Sequence, residues 1–175
     1  LTLAGVEFFL SDDFNPRYSE QRRDVADRKV SYGQDWPVTD QSLDLVIAIS
    51  VFTHLQEEDA TGYIERIHSV LKPNGLAILT LHLVEEPRKP PTFISKAKPD
   101  LVAVFDFHTA LPPSYNFFTS SPERPENAVA MNRQGLNRLV QGKFAIESLI
   151  RGTTTGGHDP FFQDVVVLRS YPKTD

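Results

Sequence analysis

The chain has 175 residues, 40% of them hydrophobic and 10% aromatic, which is enough for one domain with a buried core. Its net charge of -5 and pI near 5.5 give no extended basic surface, so electrostatic binding to nucleic acid is not expected. Cysteine is absent, which excludes disulfides and thiolate metal sites, and no apolar run approaches the roughly 20 residues of a membrane helix. We therefore expect one cytoplasmic domain over residues 1–175 that acts on a small molecule and has no membrane partner. The sequence does not determine its oligomeric state.

The N-terminal residues predict a strand, a helix and a second strand. The apolar residues 6–10 predict the first strand, and the polar residues 11–16 predict a turn at its end. Residues 18–28 are charged and favour a helix, and residues 29–32 favour a short strand that leads into residues 33–37.

A strand, helix and strand over residues 40–83 form the clearest prediction. Residues 43–52 are almost continuously apolar and β-branched, which is typical of a strand covered on both faces. Acidic residues at positions 57–59 favour a helix start, and Pro73 with Asn74 and Gly75 favours its end. A second apolar run follows at residues 76–83, so we expect two parallel strands with a right-handed crossover.

The second half of the chain predicts an insertion and three closing elements. Residues 85–130 hold eight of the 13 prolines together with several aromatics, and we expect an irregular insertion or lid there. Residues 132–141 favour a short helix, and residues 144–150 and 161–169 favour two strands joined by a Gly-rich loop.

Four motifs, in their order and spacing, resemble those of class I S-adenosylmethionine-dependent methyltransferases. They are Asp13-Phe14-Asn15-Pro16, residues 33–37, residues 43–55 and Leu71-Lys72-Pro73-Asn74-Gly75. The resemblance implies an α/β, Rossmann-like fold with a doubly wound, mostly parallel sheet, helices on both faces and an antiparallel last strand. The family's strand order is 3-2-1-4-5-7-6, and its cofactor crosses the carboxyl ends of strands 1, 2 and 4.

The same resemblance implies S-adenosylmethionine as the cofactor and assigns its contacts. Asp13 falls where an acid accepts hydrogen bonds from the ribose, with Glu7 as the alternative residue for that role. Asp35 and Trp36 fall where the family contacts the adenine, although a lone tryptophan also suits a core and Asp13 also suits a turn. Three residues after the fourth strand fall beside the methionyl part and the methyl group: Ser50, Val51 and Phe52.

The Gly-rich motif after the family's first strand is absent from the residues before Asp13. That strand lies in mid-sheet between strands 2 and 4, and without it buried backbone groups would lack partners. The chain also begins at Leu1 and not at Met. We therefore expect that the native protein carries a further N-terminal strand and helix, or that another segment fills the slot. Direct pairing of strands 2 and 4 would contradict this.

Two histidines are the candidates for chemistry. His82 ends the second strand of the clearest unit and is the first candidate for a base or substrate ligand, the alternative being a hydrogen-bonded residue at a strand end. His54 follows the first strand of that unit, and it alternatively caps the next helix. The pair Asp106 and His108 is too small for a metal site, and no metal is expected.

Two functions follow from these features. The first is methyl transfer to a hydroxyl of a sugar or similar small acceptor, because the residues after the fourth strand resemble methyltransferase domains that accompany glycan-building enzymes. The alternative is a non-catalytic, methyltransferase-like binding or assembly domain, which the missing Gly-rich motif favours.

Overall fold

The structure is a computed structural model and describes residues 36–85, 107–155, 157 and 161–172. The elements expected between residues 6 and 32 lie outside the described residues, as do Asp13, Asp35 and Asp106. The question of whether strands 2 and 4 pair directly also lies outside them.

Ten elements and two short 3₁₀ turns make up the described part. In chain order they are β1 (Leu43–Ala48), α1 (Glu57–Val70), β2 (Leu71–Leu81), β3 (Leu83–Val84), β4 (Thr109–Leu111), β5 (Phe117–Thr119), β6 (Val129–Asn132), α2 (Arg133–Val140), β7 (Phe144–Ile150) and β8 (Asp164–Ser170), with the turns at Pro125–Asn127 and Thr153–Thr155.

The larger sheet has the strand order β1-β2-β8-β7. β1 and β2 pair in parallel, while β8 is antiparallel to both of its neighbours. β1, β2 and β7 therefore run in one direction and β8 in the other, which is the order 4-5-7-6 of the methyltransferase sheet. The expected antiparallel last strand is confirmed. The expected mostly parallel pairing is confirmed in part, because β1 and β2 are the only parallel pair in the described part of this sheet.

The helix α1 begins where the acidic residues predict and ends earlier than expected. Its last residue is Val70, and Leu71 is already extended with φ −73° and ψ 139°, two residues before Pro73. Asn74 takes the left-handed conformation with φ 64°. Gly75 is needed for close packing, because a Cβ there would lie 3.0 Å from the carbonyl oxygen of Lys72.

Both described helices pack against the same face of the larger sheet. The shared core contains residues of α1, of α2 and of three strands: Ala60, Ile64, Ile67, Leu136, Leu139, Val140, Ala48, Ala77, Leu79, Leu81, Val166 and Leu168. On the opposite face of β1, Leu45, Ile47 and Ile49 are exposed. Helices on both faces were expected, but in the part of the chain that is described they cover one face.

Over residues 107–130, the smaller sheet corrects the expectation of an irregular insertion, while residues 86–106 of the expected insertion lie outside the described residues. β3, β6, β5 and β4 form it in that order, and β5 pairs in antiparallel fashion with both β4 and β6. The three residues of β5 are all buried, and such short strands form because apolar side chains gain burial at both faces. Hydrogen bonds from Val129 N to Thr53 O and from Met131 N to His82 O attach this sheet to the ends of β1 and β2.

The remaining predicted elements are confirmed with small shifts. α2 covers residues expected to be helical, and its first turn is capped by Asn132, whose side-chain oxygen accepts from Gly135 N at 2.8 Å. β7 matches its predicted range, and β8 begins at Asp164, three residues later than predicted. Within the described ranges, no helix has the length and apolar character that crossing a membrane requires.

Removing a core side chain from β2 should destabilise the protein strongly. Leu79 is 1% exposed, so Leu79→Ala leaves a cavity between α1 and the sheet and should lower the free energy of unfolding by about 3 kcal/mol. Ile150→Ala is the control, since Ile150 is 42% exposed and its loss should cost less than about 1 kcal/mol. Urea denaturation measures both variants, and equal losses would contradict the burial pattern.

Candidate functional site

The carboxyl ends of β1 and β2 lie side by side and form one edge of the larger sheet. β1 ends because Ser50 adopts a left-handed backbone with φ 58°, which a strand cannot continue. The predicted strand over residues 43–52 is therefore shortened to end at Ala48. A left-handed residue with a side chain is disfavoured, and such residues concentrate at functional sites.

A polar cluster holds this turn on the exposed side of the sheet. Ser50 N donates to Thr80 Oγ1 at 2.8 Å, and Gln163 Nε2 donates to Ser50 Oγ at 3.0 Å. Thr80 and Gln163 were not among the sequence candidates. The available signal was a threonine inside the apolar run of β2, but nothing in the sequence connects it to a glutamine 83 positions away.

The two residues after Ser50 point towards the core. Phe52 is 1% exposed and belongs to the main core, and Val51 is half-buried against it. The Phe52 side chain therefore packs in the core, and only the backbone of Phe52 stays a candidate for contact with the methyl group. Next to it, the buried hydroxyl of Thr53 has no hydrogen-bond partner among the described residues, which leaves a polar atom available to a ligand at this edge.

Trp36 lies away from this turn, against α1. Its ring makes an edge contact with Tyr63 at a centroid distance of 6.0 Å, and its carbonyl oxygen accepts from Arg66 Nη2 at 3.3 Å. Among the described residues, the half-buried Trp36 packs on the core and has no contact with the Ser50 turn. Its expected contact with the adenine stays a prediction.

His54 is held in one tautomer by the smaller sheet's connecting turn. Its Nδ1 lies 2.9 Å from the carbonyl oxygen of Glu126, and a carbonyl only accepts, so Nδ1 carries the proton and Nε2 the lone pair. The helix-cap alternative is wrong, because α1 has Gln56 at its N-cap and no side-chain cap.

His82 is held in the same tautomer but is far more enclosed. It is 2% exposed, and its ring lies 5.2 Å from that of Phe107 and 6.4 Å from that of Phe162. Its Nδ1 lies 3.0 Å from Thr154 Oγ1, whose own hydrogen is donated to Phe162 O at 2.8 Å. The threonine oxygen must therefore accept, and Nδ1 of His82 donates.

Enclosure also changes the acidity of His82. Burial, and to a smaller extent the neighbouring His54, lower the pKa of its imidazole to about 4. His82 is consequently neutral at pH 7 and a weak base.

A buried carboxylate that the sequence did not reveal supports this arrangement. Asp164 accepts from Leu83 N at 2.6 Å, from Gly152 N at 2.9 Å and from Thr155 Oγ1 at 2.6 Å, and Arg151 Nε lies 3.3 Å away. Burial raises the pKa of this carboxyl, while these bonds oppose the rise. The carboxylate fixes the loop that carries the partner of His82.

The acidity of His82 predicts a stability loss on acidification. Between pH 6.5 and 4 the unfolded chain binds a proton at this residue and the folded chain does not, so stability is full above pH 6.5 and falls towards pH 4. The loss of unfolding free energy that comes from His82 should reach about 3 kcal/mol at pH 4. His82→Gln should remove that share, which urea denaturation at several pH values measures against the wild type. An imidazole NMR signal of His82 that titrates near pH 6.5 would contradict the prediction.

Residues 10–79 match the family model described as a methyltransferase domain. The matched range includes the motif at residues 13–16, the Ser50 turn and most of β2. The cofactor of the class I enzymes of this kind is S-adenosylmethionine.

Three solved structures resemble the chain at low identity. They are an S-adenosylmethionine-dependent methyltransferase from Methanosarcina mazei (16% identity, 78% of this chain and 63% of that one, TM-score 0.47), human N-acetylserotonin methyltransferase in complex with its cofactor (14%, 83% and 33%, 0.46) and a possible exported protein from Bordetella parapertussis (12%, 78% and 41%, 0.50). The chain spans less than two thirds of the length of each. At such identities the likeness concerns the fold and not the substrate. Residues 10–79, less than half of this chain, thus match the methyltransferase domain family, and the strand order of the larger sheet agrees with the order 4-5-7-6 of the class I S-adenosylmethionine-dependent enzymes.

Proposed function

We propose that this protein transfers the methyl group of S-adenosylmethionine to a hydroxyl of a small molecule, a sugar or a similar compound. The supporting observation is the left-handed Ser50 turn inside the family match, with His54 and His82 beside it on the same sheet edge. The sugar itself is supported by the motif resemblance alone.

The residues at this edge fit a cofactor with a polar amino-acid end. Ser50 is exposed and offers a hydroxyl, and the Thr53 hydroxyl lacks a partner in the described part. From the motif resemblance, Asp13 holds the ribose and Asp35 the adenine. By the same resemblance, Trp36 contacts the adenine with the part of its half-buried ring that does not pack on α1. When bound, the cofactor supplies a methyl group on a positively charged sulfur.

A hydroxyl acceptor needs a residue that takes its proton as the oxygen attacks. His54 suits this role better than His82, although the sequence ranked them in the opposite order. His54 is half-buried, with Nδ1 directed to Glu126 O, so its Nε2 is the basic atom. Burial lowers the pKa of His82, and its ring contacts those of Phe107 and Phe162, so we assign it to shaping the pocket wall.

Cofactor binding is the first test. Calorimetry should detect binding of S-adenosylmethionine and S-adenosylhomocysteine, and Asp13→Ala should weaken it by at least about tenfold, since a charge-assisted hydrogen bond is lost. Asp12→Ala is the matched control and should bind as the wild type does. Absence of binding by the wild type would sink the enzyme function and favour the non-catalytic binding domain. An Asp13→Ala variant with unchanged affinity would return the ribose role to Glu7 or Asp12.

The two histidines should separate in a turnover assay. With sugars and phenols as acceptors and S-adenosylhomocysteine release as the signal, His54→Gln should lower kcat by roughly 10²- to 10⁴-fold, the usual contribution of a general base. His82→Gln should affect kcat much less and act mainly on stability at neutral pH. If the larger kcat loss belongs to His82→Gln, the assignment of the base is reversed.

A further inference from the structure

We propose that Thr80 and Gln163 are positioning residues, which hold the Ser50 turn in the shape that receives the amino-acid end of the cofactor. This inference rests on the function proposed above. It adds one residue of β2 and the residue just before β8 to a site that the sequence motif limits to the end of β1.

Three side chains and one backbone group close a ring of hydrogen bonds. Ser50 N donates to Thr80 Oγ1 at 2.8 Å, the Thr80 hydroxyl donates to Gln163 Oε1 at 2.5 Å, and Gln163 Nε2 donates back to Ser50 Oγ at 3.0 Å. The ring joins the ends of three neighbouring strands. It therefore fixes Ser50 relative to the sheet and not only relative to its own loop.

The number of hydrogens on each group determines which atoms donate in this ring of hydrogen bonds. Thr80 has a single hydroxyl hydrogen, and its donation to Oε1 sets the orientation of the Gln163 amide. The amide nitrogen then faces Ser50 Oγ, which accepts from it. The Ser50 hydroxyl donates its own hydrogen to Gln163 Oε1 at 3.2 Å, which is the longest hydrogen bond of the cluster.

An exposed hydroxyl in a long hydrogen bond can turn its hydrogen to an anionic oxygen, which is the stronger acceptor. The α-carboxylate of an amino acid is such a group, and hydrogen bonds to ionised acceptors are the stronger kind. We therefore assign the Ser50 hydroxyl to the carboxylate of the cofactor's amino-acid end.

The strand itself does not require a hydroxyl at position 80. Thr80 follows four apolar residues of β2 and is half-buried, so a valine of the same shape would serve the strand equally well. What the hydroxyl supplies is the acceptor for the backbone N–H of Ser50, whose left-handed conformation is disfavoured without compensation.

The test compares two ligands on four variants. S-adenosylhomocysteine carries the amino-acid end, and 5′-methylthioadenosine has the adenosine and the sulfur but lacks that end. Thr80→Val and Gln163→Leu should weaken binding of the first by roughly tenfold, the factor of one net hydrogen bond, and leave the second unchanged. Thr80→Ser keeps the hydroxyl and should bind S-adenosylhomocysteine with wild-type affinity. Gln134→Leu, on the exposed side of α2, makes the same chemical change elsewhere and should have no effect.

The outcomes distinguish this inference from the proposed function. A wild type that binds neither ligand overturns the function and the inference together. A wild type that binds both, with Thr80→Val and Gln163→Leu unchanged for S-adenosylhomocysteine, overturns the inference alone. Equal weakening of the two ligands also overturns it, because it signals a general structural effect. Faster hydrogen exchange at the Ser50 amide in Thr80→Val, measured without any ligand, is the expected conformational sign.

Discussion

The arrangement of the site depends on one carboxylate with no exposed surface. Asp164 at the start of β8 accepts hydrogen bonds from Leu83 and from two residues of one loop, Gly152 and Thr155, so it joins two segments to its own strand. A buried carboxylate is costly unless its oxygens are paired, so these donors are held where the carboxylate needs them. As a result, the start of β8, the end of β2 and the loop at Thr153–Thr155 form one unit. The partner of His82 and the position of Gln163 both follow from it.

The polar groups at the sheet edge differ in their exposure, and this difference separates their roles. Ser50 is open to solvent, His54 is half-buried, and His82 is enclosed between aromatic rings. Groups that meet a ligand must be reachable, whereas enclosed groups act by fixing their neighbours. The two histidines share a tautomer but not an environment, and environment decides which is the better base.

The local patterns of the sequence predicted the local structure well. The apolar run of β1, the periodicity of α1 and the run of β2 depend on neighbouring residues only, and each gave the right element. The strands β4 and β5 were missed because three residues are too few for a visible period and the surrounding prolines favour a loop. Asp164 and Gln163 were missed for another reason, since their partners lie far away along the chain. The adenine contact expected for Trp36 stays a prediction, and in the described residues its ring contacts Tyr63.

The pairing of β2 also has a consequence for the order of folding. On one side, Ile78 pairs with Ile47, whereas on the other it pairs with Val167, nearly three times farther along the chain. Closing a longer loop costs more chain entropy, and contacts of large sequence separation form late. We therefore expect the unit of β1, α1 and β2 to assemble first and β8 to dock last. The Ser50 turn then acquires its Gln163 partner, and His82 its enclosure, only at the final step, so a partly folded chain has the recognisable half of the family motif without a finished site.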